Sequence, residues 1–219
     1  MPELLRENDF AVTAVHTKNE ILTVEPGDTT AKNYGIAVDI GTTTVVVYLI
    51  DLISGKKIDV VSALNAQKTH GQDVISRINY TMQKPEGMRE LQNQIISQLN
   101  SLIEKVTKRN KVDISSVYGI TLAGNTTMAH LAMGLPPKNI ATVPFIPVSK
   151  RKWVLPSSSL GINIAENGRA YVLPAISGYV GPDIVSAVLA SGIHRSESLS
   201  LLIDIGTNGE IVLGNKDRL

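Results

Sequence analysis

The tetrapeptide Asp-Ile-Gly-Thr occurs twice in this chain, at 39–42 and 204–207. Each copy sits between apolar runs, GIAVDIGTTTVVVYL and SLLIDIGTNGEIVLG, so each reads as strand, tight bend, strand. A glycine at such a bend lets the backbone approach a bulky anion. The hydroxyls of Thr42, Thr43 and Thr44, and Gly41 beside them, then offer bonds to phosphate oxygens. Gly206, Thr207, Asn208 and Gly209 make the same offer in the second copy. Asp39 and Asp204 would repel phosphate on their own; they become useful when a magnesium ion bridges them, through water, to the phosphates. One copy alone reads more simply as a Gly-Thr turn with a locally bonded Asp. Two copies, separated by a complete β/α unit, point to hairpins that grip a polyphosphate from both sides.

The elements that must carry these hairpins are legible from periodicity. GIAVDIG, TTTVVVYLIDL and KKIDVVSALN are successive short-looped strands, an antiparallel meander. HGQDVISRINYTM predicts a short helix with Asp73 and Arg77 spaced as an i,i+4 pair. A long amphipathic helix then carries Met88, Leu91, Ile95, Leu99, Leu102 and Val106 on one stripe. VYGITLAG predicts a buried strand. NTTMAHLAMG predicts a helix capped by Asn125 or Thr126 and stopped by Gly134. Residues 135–168, rich in Pro, Ser and Asn, read as an irregular insertion. RAYVLPAI is a further strand, and GPDIVSAVLASG a helix with Pro182 in its first turn and Gly192 at its stop. The order β-β-β-α-β-α-β-α predicts a ribonuclease-H-like α/β fold, a mixed sheet with helices on both faces. The second Asp-Ile-Gly-Thr begins a second copy. Three regions are expected: 1–33, with two short β-like runs, as the tail of a preceding small domain and a linker; 34–199 as the first ribonuclease-H-like half; and 200–219 as the first hairpin of the second half.

Composition narrows the function classes. The formal net charge of +1 gives no reason to expect nucleic acid or a membrane surface as partner. The absence of cysteine excludes disulfides, zinc–thiolate sites and a cysteine-ligated iron–sulfur cluster within these residues. No apolar run reaches the ~20 residues of a membrane span, and MPELLRENDF lacks a signal-peptide stretch. A cytoplasmic protein is the expectation. The four histidines show no metal spacing, and His130 reads as a packed or capping residue. Asn65, Gln67, His70, Gln72 and Asp73 read as a solvated polar loop.

DIGTTT (39–44) and DIGTNGE (204–210) resemble the two phosphate motifs of the actin-like ATPase superfamily. That resemblance implies ATP as the polyphosphate. In that superfamily the helix preceding the second motif often bears a catalytic acid, which implies such a role for Asp183; an acid favoured by the helix dipole is the other reading. More narrowly, LRENDFAVTAV, AVDIGTTTVVVYLIDL, NAQKTHGQDVISRI, AGNTTMAHLAMG, LPAISGYVGPD and LLIDIGTNGEIVLG resemble, in order, the ATPase region of the reductive activators of corrinoid proteins. The resemblance implies an ATPase that drives electron transfer to cob(II)alamin, with a corrinoid protein or corrinoid methyltransferase as partner. It also implies that the iron–sulfur cluster and the adenosine-binding wall belong to other parts of a parent chain, so that these residues alone are expected to be inactive. A small-molecule kinase of the same superfamily and a non-catalytic nucleotide-sensing module are the alternatives.

Overall fold

Two β-branched runs pair first: β1 (Val12–His16) and β2 (Ile21–Pro26) form an antiparallel hairpin. The computed structural model describes residues 5, 6, 9–206 and 208–219. Charge-assisted bonds tie this hairpin to the larger sheet. Arg169 donates from Nε (2.7 Å) and Nη2 (2.8 Å) to the two carboxylate oxygens of Glu20, and the Tyr118 hydroxyl donates to Glu25.

The meander is present as predicted. β3 (Tyr34–Ile40), β4 (Thr44–Asp51) and β5 (Lys57–Leu64) are antiparallel neighbours. β6 (Val117–Gly124) lies parallel to β3, and β8 (Arg169–Val172) parallel to β6. With β7 (Trp153–Pro156) the strand order is β5-β4-β3-β6-β8-β7, the mixed sheet of the ribonuclease-H-like layout. Alternation along β3 and β4 puts Ile36, Val38, Ile40, Val45, Val47 and Leu49 on one buried face. α1 (Val74–Gln83) leads into α2 (Gly87–Arg109). α2 lays Leu91, Ile95, Leu99, Leu102 and Val106 on that face, the stripe its 3.6-residue period predicts. α3 (Thr126–Met133) starts directly after β6 because the Asn125 side chain accepts from Met128 N, and it ends at Gly134 in the left-handed region. α4 (Pro182–Ser191) packs against β6 and leads to a separate hairpin, β9 (Ser200–Ile205) and β10 (Gly209–Gly214).

Two expectations are corrected. Residues 135–168 are not wholly irregular, since β7 pairs antiparallel with β8 as an edge strand. Pro156 ends it, where a missing N–H costs no ladder bond, and its four residues are too short to show a period. Asp73 and Arg77 form no surface pair. Asp73 caps α1 in a box with Ser76, while Arg77 turns inward and is fully buried. No helix among the described residues is long and apolar enough to cross a membrane.

Candidate functional site

The first hairpin loop is held open by bonds from the protein interior. Ile40 pairs with Val45, leaving 41–44 as the loop. A Cβ on Gly41 would lie 2.6 Å from Thr44 O, so only glycine closes this bend. Three successive carbonyls are occupied from behind: Gly41 O accepts from Asn65 Nδ2 (2.8 Å), Thr42 O from Arg77 Nη2 (2.6 Å) and Thr43 O from Asn65 N (2.8 Å). In a planar trans peptide the C=O and the following N–H point in opposite directions. The N–H groups of Thr42 and Thr43 are therefore turned away from these interior donors. The Thr42 hydroxyl accepts from Asn125 Nδ2 at 2.8 Å.

The two motifs meet in one cleft of about 250 Å³. Asp39, Gly41, Thr42, Thr43 and Thr44 line it from the first hairpin, Asp204, Gly206 and Asn208 from the second, and Asp183 from the first turn of α4. Gly209 lines an adjoining cavity of about 410 Å³ with Thr42, Asn125, Tyr179 and Glu210. Thr207 lies outside the described residues. Gly181 brings α4 close: a Cβ there would come 2.6 Å from Thr126 N and 2.8 Å from Asp183 Oδ1. A larger concavity of about 730 Å³ runs along the flank of α2 past Asn100, Glu104 and Lys108, and neither Asp-Ile-Gly-Thr hairpin lines it.

The sequence reading gave roles to three of the cleft's acids, Asp39, Asp183 and Asp204; Glu210, the last residue of the second motif but given no role there, joins them, directly opposite Asp204 in the β9–β10 register. Burial pushes the Asp39 carboxyl above its usual range, and the charges of Asp183 and Asp204 push it further. Burial likewise raises Asp183, helped by Asp204, against the Ile184 N–H that Asp183 accepts. Burial raises Glu210, with Asp183 and Asp204 adding to the shift. Four carboxylates share the cleft, and its lining includes no Lys or Arg. Among the described residues no three His, Asp or Glu side chains converge as direct metal ligands. Asp39 and Asp204, two carboxylates on facing hairpins, are the kind of donor set that would suit a magnesium ion keeping much of its water.

The loop after β5 is solvated only in part: Gln72 and Asp73 are exposed, but Asn65 and Gln67 are not. Asn65 and Gln67 are each 1% exposed, and Gln67 Nε2 donates to Leu91 O at 2.9 Å. Asn65 supports the first hairpin directly, and Gln67 ties the loop to α2. Arg77 belongs with them, and one signal in the sequence pointed to it: it falls in phase with Val74, Ile78 and Thr81, on the inward side of α1. Asn125 was legible as a cap but not as a cleft residue.

His130 is packed, as its place on a short helix suggested. Its Nδ1 lies 2.7 Å from Thr126 O, and Ser149 N approaches Nε2 at 3.5 Å. A carbonyl at Nδ1 and a donor at Nε2 specify the neutral Nδ1–H tautomer, and burial lowers the pKa. A depressed pKa contributes stability that is present above the unfolded value, about 6.5, and is lost as pH falls through the folded one. The melting temperature should therefore drop below pH ~6.5, and His130→Asn, which cannot take up that proton, should flatten the drop. Parallel pH profiles in the two proteins would remove His130 from the account.

Known proteins match this arrangement over most of its length. The profile of the RACo middle region matches residues 34–196. "Corrinoid activation enzyme RamQ" of Eubacterium limosum is 40% identical over 185 residues, 84% of this chain and 31% of that protein. "[Co(II) methylated amine-specific corrinoid protein] reductase" of Methanosarcina barkeri is 24% identical over 198 residues, 85% of this chain and 35% of that protein. The solved "Reductive activator for corrinoid,iron-sulfur protein" superposes with a TM-score of 0.93 at 40% identity, over 99% of this chain and 35% of that one. The chain thus spans about a third of the length of the relatives it matches. With the fold, the paired hairpins and these similarities in agreement, the chain belongs to the RACo middle region family.

Proposed function

We propose that these residues form the nucleotide-binding core of an ATP-dependent reductive activator, which returns a corrinoid protein or corrinoid methyltransferase in the cytoplasm from cob(II)alamin to cob(I)alamin. The observation that carries the reading is the meeting of Asp39, Asp204 and Asp183 from three separate elements in one cleft. Thr42, Thr43, Thr44 and Asn208 bond phosphate oxygens, and Asp39 and Asp204 hold the magnesium ion. When bound, that ion neutralises charge on the phosphates. Asp183, its pKa raised by burial, orients the attacking water and, as the carboxylate, accepts its proton. Residues 34–199 are read as the first half of the ATPase and 200–219 as the start of the second. Leu201, Ile203, Ile211 and Leu213 share one exposed face of the second hairpin, the apolar surface a second half would cover.

The electron is read as coming from outside these residues, whose lack of cysteine excludes a cysteine-ligated iron–sulfur cluster among them. ATP acts by closing the cleft and favouring a partner complex, a shift bounded by its differential affinity for the two states. The test mixes the full-length protein, a low-potential one-electron donor and the corrinoid partner, and follows cob(I)alamin absorbance. Reduction is expected only with ATP, with no label from the γ-phosphate on either protein. Reduction at the same extent without ATP, or a stable phosphorylated partner reduced without further ATP, overturns the mechanism. The adjoining cavity of about 410 Å³, with Tyr179 and Asn125 at its wall, favours one second reading, a kinase with a small acceptor there. Turnover that depends on an added sugar or carboxylate would support that kinase instead.

A further inference from the structure

Arg77 is 0% exposed, yet every hydrogen-bond partner of its guanidinium among the described residues is neutral. Nη2 donates to Thr42 O (2.6 Å), Nε to Gly71 O (3.1 Å), and Nη1 lies 3.0 Å from Met128 Sδ and 3.4 Å from Gln67 Oε1. No ion pair to Arg77 forms among the described residues. The nearby acid, Asp73, uses its carboxylate at the N-terminus of α1, where it accepts from Ser76 N at 2.8 Å. A buried charge without a charged partner is expensive to keep. Here it stands directly behind the loop that holds the cleft's threonines, in a cleft whose own lining carries four carboxylates and no cation.

The geometry has two consequences. The bond to Thr42 O fixes that peptide plane, and so the direction of the Thr43 N–H. The guanidinium also places a positive potential behind the loop in surroundings that screen it little. Lysine would carry the charge but not the planar fork that serves Thr42 O and Gly71 O together.

We infer that Arg77 is a positioning residue for polyphosphate: it sets the orientation of the Thr42–Thr43 peptide and supplies, from behind the loop, positive charge that the cleft's lining lacks. This rests on the nucleotide reading of the cleft, and it adds a residue that touches no ligand. Its effect grows with the number of phosphates and is absent for a ligand without them. A purely structural role would not discriminate in this way.

The experiment uses the full-length protein and calorimetry, with magnesium, of a non-hydrolysable ATP analogue, ADP and adenosine, alongside the melting temperature. Wild type should bind the triphosphate. Arg77→Met should weaken the triphosphate about tenfold or more, the cost of a lost charge-assisted bond. It should weaken ADP less and leave adenosine unchanged. Arg77→Lys, which keeps the charge and loses the fork, should lose about threefold or more for the triphosphate, again with adenosine unchanged. If Arg77→Met does not fold, Arg77→Lys still decides, and wild-type triphosphate affinity in Arg77→Lys then overturns the inference. Equal loss for all three ligands in a folded variant overturns it as well, because that is the signature of general damage. A wild-type protein that binds no phosphorylated ligand fails before any variant is made, and that failure belongs to the nucleotide reading itself.

Discussion

Asp183→Asn in the full-length protein lowers the rate of ATP hydrolysis by about a hundredfold to ten-thousandfold, the range of general-base assistance, while nucleotide affinity and melting temperature stay near wild type. The expectation rests on where Asp183 stands. It occupies the first turn of α4 and lines the cleft with the first hairpin's threonines. Burial and the nearby Asp204 raise its pKa, which makes it a better base near neutral pH than an exposed aspartate. The competing account makes it a helix-dipole partner worth about 0.3–1 kcal/mol. Asparagine keeps the shape and can still accept from Ile184 N, so a dipole role predicts a small stability loss and an unchanged rate. A lower melting temperature with wild-type turnover would settle the matter for the dipole.

The second large effect concerns Asp39 and Asp204. Each Asn substitution should raise the magnesium concentration needed for half-maximal hydrolysis by about tenfold or more, since each removes one charge that holds the ion against the phosphates. Because both act on one ion, the double variant should cost less than the two single effects combined. Stability should move the other way. Asp204 raises the pKa values of Asp39, Asp183 and Glu210 through charge repulsion, and Glu210 faces it across the hairpin register. Neutralising Asp204 relieves that repulsion, so the metal-free Asp204→Asn protein should melt at or above the wild-type temperature. Activity lost while stability is kept or gained marks a site held for chemistry. Wild-type magnesium dependence in both single variants, or an Asp204→Asn protein that simply unfolds earlier, would refute the assignment.

What the chain's sequence determined by itself is local. The strand–bend–strand repeats, the α2 stripe through Leu91, Ile95, Leu99 and Val106, a cap at Asn125 or Thr126 and the Gly134 and Gly192 stops were all legible. Each depends on residues within a few positions of one another, where side-chain period and backbone preference act directly. The repeat also marked the two halves of one cleft, because a duplicated hairpin brings Asp39 and Gly41 from one copy and Asp204 and Gly206 from the other to its wall. The tertiary structure decided the rest. β7 exists because β8 offers an edge. Arg77 turns inward because the Thr42 carbonyl, 35 positions away in the chain, waits there without a strand partner. Asn65 and Gln67, read as part of a solvated loop, are buried by distant partners: Asn65 donates to the first hairpin, and α2 offers Gln67 a carbonyl at Leu91. Glu210 becomes a cleft residue only when β10 folds back on β9. For Arg77, Asn65 and Gln67 the residue's own type was ambiguous, and its role was set by polar groups brought near by distant chain, which no pattern of neighbours in sequence records.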